Sequence, residues 1–132
     1  MTEIDKIALI EIKEHKILST KSIGRTKYYI PGGKREKNET DEQTLIREIK
    51  EELSVDVIPG TLEYVGTFKA QSDGAKDGVL VKMTCYKAKY KGDLTANSEI
   101  EEIKWLNLKD IDLISEVDKI IFGHLAEIGE IN

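Results

Sequence analysis

One cysteine, Cys85, is too few for an internal disulfide, and its setting in a strand-like run marks it as a buried thiol rather than a nucleophile. The two histidines, His15 and His124, belong to no ligand-like cluster and are expected to be structural or exposed. No apolar run approaches the roughly 20 residues of a membrane span. Residues 1–10 lack the basic, apolar and small-residue order of an export signal. Positive charge is in deficit as well, and a net charge of −5 argues against nucleic acid as the main partner. Repeats, low-complexity tracts and Pro/Gly/Ser linkers are also missing. What remains reads as one domain over residues 1–132, expected in the cytoplasm and off the membrane. With 39% hydrophobic and 34% charged residues, it has enough chain for a single core.

Against these absences stands one dense segment, Gly33 to Val55. A helix advances about 100° per residue, so Glu48, Glu51 and Glu52 fall on one face, while Leu45, Ile46, Ile49 and Leu53 form a separate apolar stripe. Like charges one turn apart repel by a few tenths of a kcal/mol per pair, a cost that a bound cation removes. Oxygen ligands of this kind favour magnesium, with manganese as the substitute, and magnesium typically takes one or two protein carboxylates together with phosphate oxygens of a substrate. Arg47, four residues before Glu51, is placed to brace it.

The surrounding pattern alternates strands and helices. Ile4 to Ile12 and Lys16 to Ser22 read as a hairpin turning at Glu14 and His15. Tyr28 to Ile30 reads as strand, with Pro31, Gly32 and Gly33 forming a turn whose bare backbone can approach a ligand. Thr40 with Gln43 makes a capping box, which starts a helix just after Thr40 and runs it to about Leu53. Val57 to Ala70 and Val79 to Tyr90 read as long strands joined by a loop from Gln71 to Gly78, and Ile103 to Leu106 as a short strand. Ile114, Val117, Ile120, Ile121, Leu125 and Ile128 recur at helical spacing behind a Ser115 cap. The sum is an α/β chain with a mixed sheet between helices. The last helix suits either a core or a partner.

The run Gly33, Glu39, Arg47, Glu48, Ile49, Glu51, Glu52 and Val55 resembles the Nudix box of MutT-like hydrolases. Ser54 stands where that box usually has glycine, so the end of the helix is expected to differ. The resemblance implies an α/β/α sandwich with the box as loop, helix and loop. It implies divalent-metal-dependent hydrolysis of the pyrophosphate linkage in a nucleoside diphosphate joined to another group, by attack of water on phosphorus. Candidate substrates are nucleoside triphosphates, nucleotide sugars and ADP-ribose. It carries Glu48, Glu51, Glu52 and the Gly32 carbonyl over as metal ligands, with Glu48 alternatively the base. Members differ in which carboxylate takes the proton of the water, and some use one outside the box. Glu99, Glu101 and Glu102 are the outside candidates here, with Glu102 favoured because relatives often carry an acidic residue shortly before the tryptophan strand, represented here by Trp105. Arg25, Lys27, Tyr28 and Gly33 are expected near the substrate. Arg25 would fork onto phosphate oxygens, Tyr28 would pack in the core or near a base, and Glu39 would order the loop. Many relatives are homodimers. The alternative reading is a module that kept the fold and senses a nucleotide, or binds RNA or protein, without turnover.

Overall fold

In chain order the computed structural model, which describes residues 2–72 and 78–132, has strands β1 (Thr2–Leu9), β2 (Ile12–Lys13), β3 (Lys16–Ser22) and β4 (Gly32–Lys34), then helix α1 (Asp41–Leu53). Strands β5 (Asp56–Val57), β6 (Glu63–Gln71), β7 (Val79–Lys87), β8 (Tyr90–Lys91) and β9 (Ile100–Leu106) follow, with a 3-10 helix (Leu108–Leu113) and helix α2 (Glu116–Glu127) closing the chain. One sheet has the order β4-β1-β7-β6, with β1 and β7 parallel and the other pairs antiparallel. A second sheet has the order β2-β3-β9, and β5 pairs with β8.

Because side chains alternate along a strand, β1 serves two interiors. Ile7 and Leu9 pack with Leu45, Ile49 and Leu53 of α1, while Ala8 and the following Ile10 pack with Val117, Ile121, Phe122 and Leu125 of α2. Helices therefore cover both faces, as in the α/β/α sandwich expected from the box. The stripe of α1 decides its stability. Full burial of Leu45, Ile49 and Leu53 is worth on the order of 5 kcal/mol, well above the few tenths lost to each like-charge pair on the opposite face.

The expected caps form. Thr40 accepts from the Gln43 amide while the Gln43 side chain accepts from the Thr40 amide, and Ser115 caps α2. Ser54 takes the left-handed conformation at φ 62° that glycine usually supplies, so the helix ends in the familiar way with a residue that pays steric strain there.

Three strand expectations need correction. The first hairpin shrinks to β2 and β3 around Glu14 and His15, both at positive φ, because β1 instead inserts between β4 and β7. Tyr28 and Tyr29 form only isolated bridges, and the ladder begins at Gly32, after the residue that lacks an amide proton. Gly32 and Gly33 are thus strand residues, not a turn. A Cβ on Gly32 would collide with the Ile7 carbonyl, and one on Gly33 with the Glu48 carboxylate, so the missing side chains admit β1 and α1. The two long strands each split, with β5 separated from β6 and β7 from β8. The expected loop begins one residue later than Gln71, and its positions 73–77 lie outside the described residues.

Candidate active site

A cleft of about 480 Å³ opens where α1, β1, β4, the segment before β9 and the start of α2 meet. One bank is acidic. Glu48 and Glu52, one helical turn apart on α1, both face it, and Glu99 joins them from the segment leading into β9. That segment is fastened to α1 by its backbone: the Thr95 amide donates to the Leu53 carbonyl at 2.9 Å and the Asn97 amide to the Glu52 carbonyl at 3.0 Å. These are two of the carbonyls that a helix end leaves without partners. Nothing in the spacing of the chain announces this tie, which is why the sequence did not single out Glu99 over its neighbours.

Glu52 accepts the Gly32 amide at 3.1 Å. Burial pushes its carboxyl up to about 8, the Gly32 amide opposes the shift, and the nearby charges of Glu48 and Glu99 add to it. Glu48 is fixed differently, by the Arg47 guanidinium at 2.8 Å. Arg47 also forks onto both oxygens of Glu39 at 2.8 Å and donates to the Lys34 carbonyl at 3.1 Å. Its distance to Glu51 is 3.8 Å, so the expected brace acts mainly on Glu39 and Glu48 instead. Glu39 also accepts from the Thr44 hydroxyl and the Glu36 amide, orders the loop as expected, and is held down to about 2, first by the Arg47 hydrogen bonds.

Several expected residues are brought together and others are not. Glu48, Glu52, Gly32, Gly33 and Arg25 line the cleft. Glu51 is exposed and does not line the cleft, since it lies about 100° around the helix from Glu52. Glu102 is corrected. It pairs with Lys21 in the β3–β9 register, accepts the Tyr28 hydroxyl at 2.5 Å, and does not line the cleft. Of the two places expected for Tyr28 it occupies the core, and its neighbour Tyr29 faces the cleft instead. Lys27 is not on the lining either.

On the opposite bank only Arg25 was expected, and two lysines join it. Lys6 on β1 and Lys34 on β4 are register partners, so their side chains share a face of the sheet, and both line the cleft with Arg25. The legible signal was a lysine within the inward alternation Ile4, Lys6, Ala8, Ile10.

All candidate donors here are oxygens, which suits a hard cation. Glu52 supplies a buried carboxylate that, among the described residues, has no ion pair and whose charge the surroundings disfavour, a condition a cation relieves. No group of three acidic, histidine or cysteine side chains among the described residues is disposed to hold a metal ion as the side chains stand. Glu48, turned toward Arg47, is the carboxylate that would have to rotate.

The NUDIX domain family model matches residues 5–124. Among solved structures, the chain is similar to the ORF135 protein of E. coli, with TM-score 0.75 and 23% identity over 97% of this chain and 91% of that one. It is also similar to a MutT NUDIX hydrolase from Burkholderia pseudomallei (TM-score 0.73, 17% identity, covering 93% and 98%) and a MutT protein from Bacillus halodurans (TM-score 0.71, 25% identity, covering 92% and 81%). No curated protein matches by sequence. No helix among the described residues is long and apolar enough to cross a membrane.

Proposed function

Because this chain belongs to the Nudix family, we propose that it hydrolyses the pyrophosphate linkage of a nucleoside diphosphate joined to another group, with magnesium as cofactor. The observation that carries the reading is the convergence of Glu48, Glu52 and Glu99 on a cleft whose other bank is cationic. A bound divalent ion supplies a water of lowered pKa and neutralises charge on a bridging oxygen. Glu52, Glu48 and the Gly32 carbonyl are the residues that would hold it, with the exposed Glu51 as a further donor, directly or through water.

The protein's own groups then divide the remaining work. Arg47 ties Glu48 and Glu39 to the end of β4, the strand that carries Gly33, through the Lys34 carbonyl. Glu99 replaces Glu102 as the outside carboxylate suited to take a proton from the attacking water, since it faces the same cleft as the box glutamates. Arg25 and Lys34 offer donors to phosphate oxygens, and Gly33 lets the Glu48 carboxylate lie against the strand beside them.

The test is incubation with magnesium and a panel of nucleoside triphosphates, nucleotide sugars and ADP-ribose, following released phosphate, pyrophosphate or nucleotide. Turnover of at least one class is expected. Binding without turnover would favour a nucleotide sensor, the reading to which the turned-away Glu48 gives its one specific support.

A further inference from the structure

Beyond the carboxylates the cleft changes character. Ile4, Val81, Met83 and Val117 give part of its lining an apolar surface, with Gln71, Ser72 and Ser115 as polar members of the same lining. Lys6 projects from the same sheet face and is the only cation in that wall among the described residues, for Ile4 and Ala8 are its neighbours on the face and Met83 is its partner on β7. No hydrogen bond or ion pair engages its ammonium among the described residues. Its antiparallel partner is Lys34, a like charge directly opposite, an arrangement that costs stability rather than adding it. Burial lowers its pKa; the charges of Asp118 and, less strongly, Glu52 oppose that, while Lys34 and Arg25 reinforce it. Asp118 and Glu52 attract this partly buried cation from a distance, but no acceptor among the described residues takes a hydrogen bond from it, and its donors stay free for a ligand.

We propose that Lys6 is a specificity-determining residue, donating a hydrogen bond to a keto oxygen on the nucleobase of the substrate. The inference rests on the functional reading above, which puts the diphosphate at the carboxylates and leaves the attached nucleoside the apolar end. Flat apolar walls suit a base, and the chemistry of the ammonium selects among bases. Lysine has three donors and no acceptor. The oxygen of guanine at position 6, or of uracil at position 4, accepts such a donor. Adenine presents an amino group there, which leaves two donors opposed in a desolvated place, and sites built around a hydrogen bond reject the ligand that cannot make it.

Binding of the monophosphates GMP, UMP and AMP to the wild-type protein and to Lys6→Met tests this without requiring turnover. Methionine keeps the length and apolar stem while removing the donor. The wild type should bind GMP and UMP at least about tenfold more tightly than AMP, and the variant should bring the three within about twofold of one another. A cooperative thermal melt checks that the variant is folded, since it loses the repulsion of Lys34 and the attraction of Asp118 and Glu52 together. An unchanged preference in Lys6→Met overturns the proposal. So does an equal loss for all three nucleotides, which would make Lys6 a phosphate contact, and so does failure of the wild type to bind any of them. A base preference that depends on Lys6 in a protein that hydrolyses nothing would defeat the hydrolase reading and leave this one standing.

Discussion

The two banks of the cleft are built on opposite principles. On the α1 bank the box side chains are engaged by the protein itself: Arg47 with Glu39 and Glu48, Glu52 with the Gly32 amide, and, outside the cleft lining, Arg35 with Asp5, Asp41 and the Glu39 carbonyl. On the facing bank Lys6, Lys34 and Arg25 crowd together, and among the described residues no side-chain hydrogen bond or ion pair engages them. Internal pairing positions groups at the cost of their availability. Unpaired like charges cost stability and stay available. The difference separates residues that hold the site in shape from residues left for something that arrives.

Breaking the α1 bank should have the larger effects. Glu52→Gln is expected to cut turnover roughly 1,000-fold or more while the fold stays intact by thermal melt, since metal-borne charge stabilisation is worth several kcal/mol. Near-wild-type turnover would remove Glu52 from the ligand set. Arg47→Ala should follow, with activity down about 10- to 100-fold and stability by about 1–2 kcal/mol, both read on the purified protein. Lysine at position 47 should rescue little, because it cannot fork onto Glu39.

A paired comparison sharpens where the cleft ends. Glu99→Gln should lower kcat about tenfold or more, whereas Glu102→Gln, whose carboxylate is spent on Tyr28 and Lys21, should change it less than about twofold. The reverse order in steady-state kinetics would put the outside carboxylate on the wrong strand position.

pH distinguishes two carboxylates of the α1 bank. Glu52, raised to about 8 when folded, favours folding in its neutral form; that contribution is complete below its unfolded pKa of 4.5 and is lost as pH rises through 8. Between about pH 5 and 8 the metal-free protein should therefore lose stability relative to Glu52→Gln, by on the order of a few kcal/mol, and excess magnesium should shrink the gap. Parallel melting curves for the two proteins would mean the carboxylate is better solvated than the structure has it. Glu39, held down to about 2, acts in the other direction: its contribution is present above 4.5 and is lost as pH falls through 2. The smallest expected effect is Ser54→Gly, a gain of up to about 1 kcal/mol in denaturant titration, from relieving a left-handed serine.

How far the chain could be read follows the same division. The capping box of α1, its buried stripe, its acidic face and the cap of α2 are set by residues within a turn or two of each other, so periodicity and spacing suffice. The partner of β1, the split of the long strands and the facing of Glu99 depend on pairings between distant segments. The same holds for Tyr28 and Tyr29, where a slip of one residue in strand phase exchanges core for cleft. Glu102 was misplaced because distance along the chain to Trp105 says nothing about which side of β9 a carboxylate takes.

The parallel pairing of β1 with β7 has a consequence for how the molecule comes into being. Thr2 lies opposite Val79 and Leu9 opposite Tyr86, so β1 waits for a neighbour that comes off the ribosome much later. Helix α1 closes through short-range contacts, but the central ladder must first form a loop of more than half the chain, a slow event that leaves an apolar strand edge uncovered meanwhile. Fragments ending before Val79 should therefore aggregate rather than fold, and the acidic cleft should be assembled only after the parallel pair has joined.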